Sequence, residues 1–197
     1  MNIIDRFSKY LTAWNFKLDK VSLYAYWNDA FTKEECKKII NIANKKGLVK
    51  GTTKGELDIR KSQVSWLYAC DDMEWVFRRV TDIILNLNER YFGFDIFGLT
   101  EGFQFTNYKA PSDKYGKHVD RALDFPVRKL SVSIQLTDPK EYEGGELYLY
   151  DVDKGTLMDK KQGTLILFPS YVLHEVMPVT KGERNSLVTW VTGNQFK

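Results

Sequence analysis

The apolar residues of this chain change their period near Phe97. Side chains return to one face about every 3.6 residues on a helix and every second residue on a strand. A chain that uses the first period and then the second must stack helices on sheet, which predicts one α+β unit whose helices brace one face of a sheet sandwich or barrel. In the first part, Ile3, Ile4, Phe7, Leu11 and Trp14 predict a short opening helix, and VSLYAYWNDAF predicts a strand. TKEECKKIINIANKKG predicts a helix, with Thr32 and Glu35 in capping-box register, Cys36, Ile39, Ile40 and Ala43 on one face, and Gly47 as its stop. A longer helix is predicted over DDMEWVFRRVTDIILNLNERYFG, capped by Asp71 or Asp72 and ended by Gly93, with a stripe running from Met73 through Val76, Phe77, Val80, Ile83, Ile84 and Leu87 to Tyr91. After Phe97 the runs FGLTEGFQFTNYK, RKLSVSIQLTD, GELYLYD, GTLILFP, HEVMPV and NSLVTWVTG read as strands separated by turns. No linker or repeat divides the chain, so residues 1–197 are expected to form one domain, with helical support mainly in 1–95 and the β core mainly in 97–193.

At 197 residues and 43% hydrophobic content, the chain is long enough to bury one sizeable core. The 29 basic residues against 26 acidic ones leave a net charge of +3 with no long basic block, which argues against nucleic acid or an anionic membrane as partner. Cys36 and Cys70 lack CxxC spacing and read as two buried thiols in a reducing cytosol. The N-terminal stretch has charges among its apolar positions and no small-residue cleavage site, and no run approaches the roughly 18 apolar residues of a membrane span. A cytoplasmic location is expected.

The chain has only two histidines, and one of them lies in KYGKHVDRALDF, where His118 and Asp120 flank Val119. On a strand such a pair points to one face, toward one ion, while Val119 turns into the barrel wall. Taken alone, a His-x-Asp pair recurs by chance. The second histidine, His174, follows the strand GTLILF, from where a neighbouring strand can supply a third ligand. Two imidazoles and one carboxylate form a facial triad with open positions, suited to non-haem Fe(II) and O₂. The alternative is two unrelated histidines. Arg184, at the opening of RNSLVTWVTG, reads in isolation as a solvated turn residue. In the order His-x-Asp, His, Arg it becomes an anchor for the distal carboxylate of a keto acid, held by the planar guanidinium fork.

This ordered set resembles that of the 2-oxoglutarate- and Fe(II)-dependent dioxygenases, and the surroundings resemble the prolyl hydroxylase group. LSVSIQLTDPKEYEGGELYLYD followed by GTLILFPSYVLHEVMPVTKGER is similar to the bacterial PKHD-type hydroxylases. DIRKSQVSW resembles the finger loop and following strand of the hypoxia-inducible-factor prolyl hydroxylases. The resemblance runs from Asp58 to Trp190. It implies a double-stranded β-helix (jelly-roll) barrel, with His118, Asp120 and His174 as iron ligands and catalytic centre, and Arg184 as the 2-oxoglutarate anchor. Tyr108 and Tyr115 match pocket tyrosines, Tyr108 on the cosubstrate side and Tyr115 on the substrate side. Trp190 matches a pocket tryptophan, and Arg128 an arginine at the substrate mouth. Gln135 stands where the hypoxia-sensor enzymes place a tyrosine that shares the distal carboxylate; its amide can still donate a hydrogen bond.

Several of these residues have a plainer reading. Trp190, inside an apolar strand, reads equally as a core aromatic. Arg60 and Trp66, after the Gly-, Thr- and Lys-rich loop VKGTTKGELDIRK, read as peptide contacts under a lid, or as a salt-bridged surface arginine and a half-buried strand tryptophan. The resemblance further implies Fe(II), 2-oxoglutarate and O₂ as requirements, with ascorbate as an optional addition. The expected activity is hydroxylation of a proline in a protein or peptide, a translation-associated protein among the candidates, with release of succinate and CO₂. Two alternatives stand beside it: the same iron chemistry on a lysyl residue or free amino acid, and a non-catalytic binding relative.

Overall fold

The computed structural model of the protein describes residues 21–52, 59–120 and 127–194. The expected opening helix from Ile3 to Trp14 lies outside them, as do residues 53–58 of the loop before Arg60. Two α-helices and fourteen strands make up the described residues.

Helix α1 (Lys33–Lys46) begins as its sequence requires: Glu35 N–H donates to Thr32 Oγ1 at 3.2 Å, and Thr32 N–H donates back to Glu35 Oε2 at 2.9 Å. Cys36, Ile39 and Ala43 are buried, with Ile40 partly so, and Gly47 ends the helix with a positive φ. Helix α2 (Glu74–Tyr91) departs from expectation at both ends. Its N-cap is the buried Met73, and neither Asp71 nor Asp72 caps it; the backbone N–H groups of Met73 and Glu74 donate to Cys70 O instead. That turn also leaves Cys70 exposed, so only Cys36 is a buried thiol, its pKa pushed up to about 12, mainly by burial. At the other end Tyr91 turns outward, and Asn88 takes the inward place, exchanging side-chain hydrogen bonds with the backbone of Phe94 at 2.9 and 3.1 Å.

The strands are β1 (Ala25–Trp27), β2 (Val49–Lys50), β3 (Arg60–Lys61), β4 (Gln63–Leu67), β5 (Ile96–Leu99), β6 (Phe103–Lys109), β7 (Lys114–His118), β8 (Arg128–Gln135), β9 (Tyr142–Gly144), β10 (Leu147–Asp151), β11 (Lys154–Leu157), β12 (Leu165–Pro169), β13 (Leu173–Val176) and β14 (Val179–Gly193). They form two antiparallel sheets. The larger runs β1-β12-β8-β14-β6-β4-β2, with β5 and β9 also pairing to β14; the smaller runs β11-β10-β13-β7-β3. Sheet faces packed on each other with both rows of edges left open describe a jelly-roll sandwich. The helices cover only the larger sheet, as the segregation of periods implied. None of the described helices is long and apolar enough to cross a membrane.

Alternation along the large sheet explains where the core sits. Leu130, Val132 and Ile134 of β8, Phe103 and Phe105 of β6, and Leu187 and Val191 of β14 face the helices and form the main core. Phe77 of α2 meets Phe103 edge to face at 4.6 Å, a pair of about 0.5–1.5 kcal/mol beyond its buried area. The intervening residues Ser131, Ser133, Gln135, Gln104, Thr106 and Ser186 are polar, yet they are buried too. Polar positions on an antiparallel strand ordinarily face water. Here they face the second sheet, so the interior of the sandwich is in part a lined chamber and not a hydrophobic core.

Candidate active site

Strands β7 and β13 pair so that His118 lies directly opposite His174, and the ring centroids are 4.1 Å apart. Asp120 follows just past the end of β7, held by its own N–H donating to Ser170 O at 2.9 Å. The pair is therefore not on one regular strand, and Val119, 48% exposed, lines the chamber and is not buried in the wall. The convergence survives because the turn carries Asp120 back over the sheet. Its two carboxylate oxygens lie 3.6 Å from His118 Nε2 and 3.5 Å from His174 Nε2. One ligand atom from each of the three residues falls within 4.8 Å of the other two.

Each imidazole is oriented by its remaining nitrogen. His118 Nδ1 lies 2.7 Å from Gly116 O, and His174 Nδ1 lies 2.9 Å from Val172 O. A carbonyl oxygen can only accept, so both Nδ1 atoms carry the proton and both Nε2 atoms present a lone pair. Burial, with His174 beside it, pushes the His118 pKa down to about 4, which keeps that ring neutral in ordinary buffers. Burial by itself opposes ionisation of Asp120, but His174, His118, the Trp190 indole and the Ser131 hydroxyl outweigh it and hold the carboxyl below its usual range. Ser131 Oγ donates to Asp120 Oδ2 at 2.8 Å and lies 3.0 Å from Ser170 Oγ. Two neutral imidazoles and an ionised carboxylate fit a divalent first-row ion. Donors about 2.0–2.2 Å from such an ion stand roughly 3 to 3.5 Å apart, close to the spacing observed.

The three residues face a chamber of about 660 Å³, a size suited to a small ligand with one further group. Arg184 lies in the same chamber and is only 1% exposed. It sits well inside β14, whose pairing with β9 begins at Val179, and not at a strand opening. Nη2 donates to Gln135 Oε1 at 3.0 Å, its guanidinium lies 5.4 Å from the Tyr108 ring centre, and Nε is buried without a partner. No carboxylate pairs with Arg184 among the described residues. Gly144 and Gly145, both at positive φ, make room for it: a Cβ on Gly145 would come within 2.9 Å of Arg184 Cδ.

The other residues singled out in the sequence gather around this centre. Tyr115 stacks on His118 at 3.5 Å between ring centres, and Tyr108 is buried beneath the chamber; burial raises both phenol pKa values, so both stay protonated donors. Trp190 lines the chamber and not the core, with its buried indole N–H directed at the Asp120 carboxylate. Arg128 lies over the Trp190 ring at 3.6 Å and is held bidentately by Glu101. Trp66, half-buried on β4, packs 6.1 Å from Trp190. Arg60 is not a salt-bridged surface residue: it is buried, with Nε on Ser62 Oγ at 2.9 Å and Nη2 on Gln104 Oε1 at 2.8 Å. Sequence reasoning missed Gln104, Glu101, Ser131 and Ser170. The signal for Gln104 and Ser131 was present as polar residues alternating with apolar ones inside FQFTNY and LSVSIQ; nothing local marked Glu101 or Ser170.

Residues 103–192, which carry His118, Asp120, His174 and Arg184, match the 2OG-Fe(II) oxygenase superfamily. A PKHD-type hydroxylase of Aliarcobacter butzleri is 30% identical over 171 residues, covering 83% of this chain and 75% of that protein. A PKHD-type hydroxylase of Shewanella oneidensis is 39% identical over 92 residues, which is 44% of this chain and 41% of its own length. The chain belongs to the 2OG-Fe(II) oxygenase superfamily, with PKHD-type hydroxylases as its relatives. Among solved structures, a Pseudomonas putida prolyl-4-hydroxylase superposes with a TM-score of 0.70 at 20% identity, covering 88% of this chain and 94% of that one. A Trichoplax adhaerens prolyl hydroxylase, solved with a hypoxia-inducible-factor peptide fragment, gives 0.72 at 20% identity, over 87% and 84%. These likenesses establish the jelly-roll fold.

Proposed function

We propose that this chain is a 2-oxoglutarate- and Fe(II)-dependent hydroxylase acting on a prolyl residue of a protein or peptide. His118, Asp120 and His174 would hold the iron, which with O₂ and 2-oxoglutarate supplies an oxidant for an unactivated C–H bond, succinate and CO₂ being the co-products. Arg184 carries the reading: a buried guanidinium lacking a carboxylate partner among the described residues, in the same chamber as the triad, is a costly arrangement unless an anion completes it. The distal carboxylate of 2-oxoglutarate is that anion, received by the guanidinium fork beside Gln135 and Tyr108.

The remaining walls supply placement. Trp190, Trp66 and Arg128 form an aromatic and cationic flank on the side of Asp120, to which Arg128 also reaches through a 3.4 Å contact from Nη1 to the carbonyl. Such a flank can hold one ring of a substrate against the centre and exclude water while a single C–H bond is presented. The names of the structural neighbours, prolyl hydroxylases, and the peptide bound to the Trichoplax enzyme favour a proline within a peptide. Incubation with Fe(II), 2-oxoglutarate, ascorbate and a panel of proline peptides tests this. Succinate together with a mass gain of one oxygen on proline is the expected result. Succinate formed with lysyl peptides or free amino acids, and none with proline peptides, would move the substrate elsewhere; a protein that consumes no 2-oxoglutarate with any of them would be a binding relative.

A further inference from the structure

Three arginines face the chamber, and they differ in how their charge is met. Arg128 is matched by Glu101, and Arg184 is assigned above to 2-oxoglutarate. Arg60 is the third. Its two hydrogen bonds go to neutral oxygens, those of Ser62 and Gln104, its guanidinium lies 4.8 Å from the Tyr115 ring centre, and it has no carboxylate partner among the described residues. Only 8% of it is exposed. Gly51 leaves it space, since a Cβ there would lie 2.9 Å from Arg60 Nε.

The charges of the loaded centre can be balanced one by one. Fe(II), the ionised Asp120, the dianionic keto acid and Arg184 together sum to zero, and Arg128 with Glu101 does the same. Among the described residues, the positive charge of Arg60 is left over. In the open chamber water can solvate it. A bound substrate removes that water, and an uncompensated guanidinium in a drying site then opposes binding unless the substrate brings a negative group. Several N–H donors of its fork remain unused by partners among the described residues, as a bidentate carboxylate contact requires.

We propose that Arg60 receives a carboxylate of the substrate, so that the segment hydroxylated carries an acidic group close to the reacting residue. Arg60 stacks on Tyr115, which in turn stacks on His118, and this places the guanidinium one ring away from the triad. At roughly 3.5 Å per residue of extended chain, the acidic group falls within about two or three residues of the reacting one. The carboxylate has two sources, an Asp or Glu side chain within a peptide, or the α-carboxylate of a free or C-terminal residue. This inference rests on the assignment of Arg184 to 2-oxoglutarate, which leaves Arg60 unmatched.

A matched peptide series tests it. One proline peptide carries Glu within two residues of the proline, and its variants carry Gln or Lys there, or Glu only at the far end. A second pair ends at the proline as the free acid or the amide. Binding to protein loaded with Mn(II) and 2-oxoglutarate is read by fluorescence anisotropy, and hydroxylation of the same peptides by mass. The adjacent Glu, or the free acid, should bind about tenfold or more tighter than its neutral counterpart, the scale of a charge-assisted hydrogen bond, and Lys should bind weakest. Arg60→Gln should bring the ratio to within twofold, and Arg60→Lys should keep part of it. Equal binding of the Glu, Gln and Lys peptides by the unaltered protein would overturn the proposal without recourse to any variant, as would a preference that survives Arg60→Gln. A charge preference in binding with no hydroxylation of proline would sustain the carboxylate site and count against proline; hydroxylation indifferent to charge would do the reverse.

Discussion

Ser131 offers a test of the metal centre that touches neither metal nor substrate. It lies in the middle of β8, between Leu130 and Val132, which are locked into the main core, so its hydroxyl has little freedom to move. That hydroxyl has one proton and spends it on Asp120 Oδ2 at 2.8 Å, which makes Ser170 the donor in the 3.0 Å contact between the two serines. In Ser131→Ala the carboxylate loses a hydrogen bond to its charged form, worth about 1.5–3 kcal/mol. Part of that loss is recovered by rotation of the carboxylate, so metal affinity should fall about 10- to 100-fold, the range typical of groups that orient ligands from behind. Stability of the metal-free protein should fall as well, by about 1–3 kcal/mol, since the same hydrogen bond to Asp120 is lost there and Ser170 is left with an unmet hydroxyl. Isothermal titration with Mn(II) measures the first quantity and thermal unfolding of the metal-free protein the second. Ser170→Ala, one step further back, should cost less affinity than Ser131→Ala. Affinity within twofold of the unaltered protein in Ser131→Ala would refute the view that this hydroxyl fixes Asp120 for metal binding.

Other expectations follow from the same geometry. Asp120→Ala removes the only charged member of the triad and should abolish succinate formation while shifting the melting temperature by only a few degrees; near-normal turnover would show that the metal is held elsewhere. Arg184→Lys replaces a fork by a point charge and should raise the 2-oxoglutarate needed for half-maximal turnover about tenfold or more, whereas unchanged dependence would relocate the anchor. Thr32→Ala breaks the capping box of α1 and should cost about 1 kcal/mol, or roughly 2–4 °C in melting temperature, with the Kd for 2-oxoglutarate unaltered. The Arg79 guanidinium, donating to Glu35 at 2.6 Å, holds the Glu35 carboxyl below its ordinary range. The folded-state pKa is depressed, so the stability it contributes is present above the unfolded value, about 4.3, and is lost as pH falls below it. Unfolding curves of Glu35→Gln should therefore show a shallower acid dependence in that window, and curves parallel to those of the unaltered protein would deny the linkage.

Much of this arrangement is written locally in the sequence. The change of period near Phe97 separates helices from strands because the two repeats cannot share one face. The capping box of α1 is legible because it needs only Thr32 and Glu35. The three candidate ligands stand out because histidine is rare here and the His-x-Asp spacing is short. What local reading misplaced depends on tertiary neighbours. Asp120 appeared to share a strand with His118, but β7 ends at His118, two residues earlier, and a backbone bond to Ser170 carries the acid into place. Asp71 and Asp72 were equally good caps for α2 on composition, and lost to a turn closed by Cys70 O that buries Met73. Arg60 looked like a surface residue because its two partners come from β6 and from beyond its own strand; no spacing rule connects Arg60 to Gln104. Alternation shows that the serines and glutamines of β6 and β8 share a face, but not what lies opposite that face.

The central claim is that His118, Asp120 and His174 hold one metal ion while Arg184 holds the far end of a keto acid in the same chamber. A crystal grown with Mn(II) and 2-oxoglutarate, read by anomalous scattering, tests both halves at once. The account requires one anomalous peak about 2.0–2.3 Å from His118 Nε2, His174 Nε2 and an Asp120 oxygen, with a 2-oxoglutarate carboxylate in hydrogen-bond contact with the Arg184 guanidinium. A peak at any other site, or a keto acid bound away from Arg184, would contradict it.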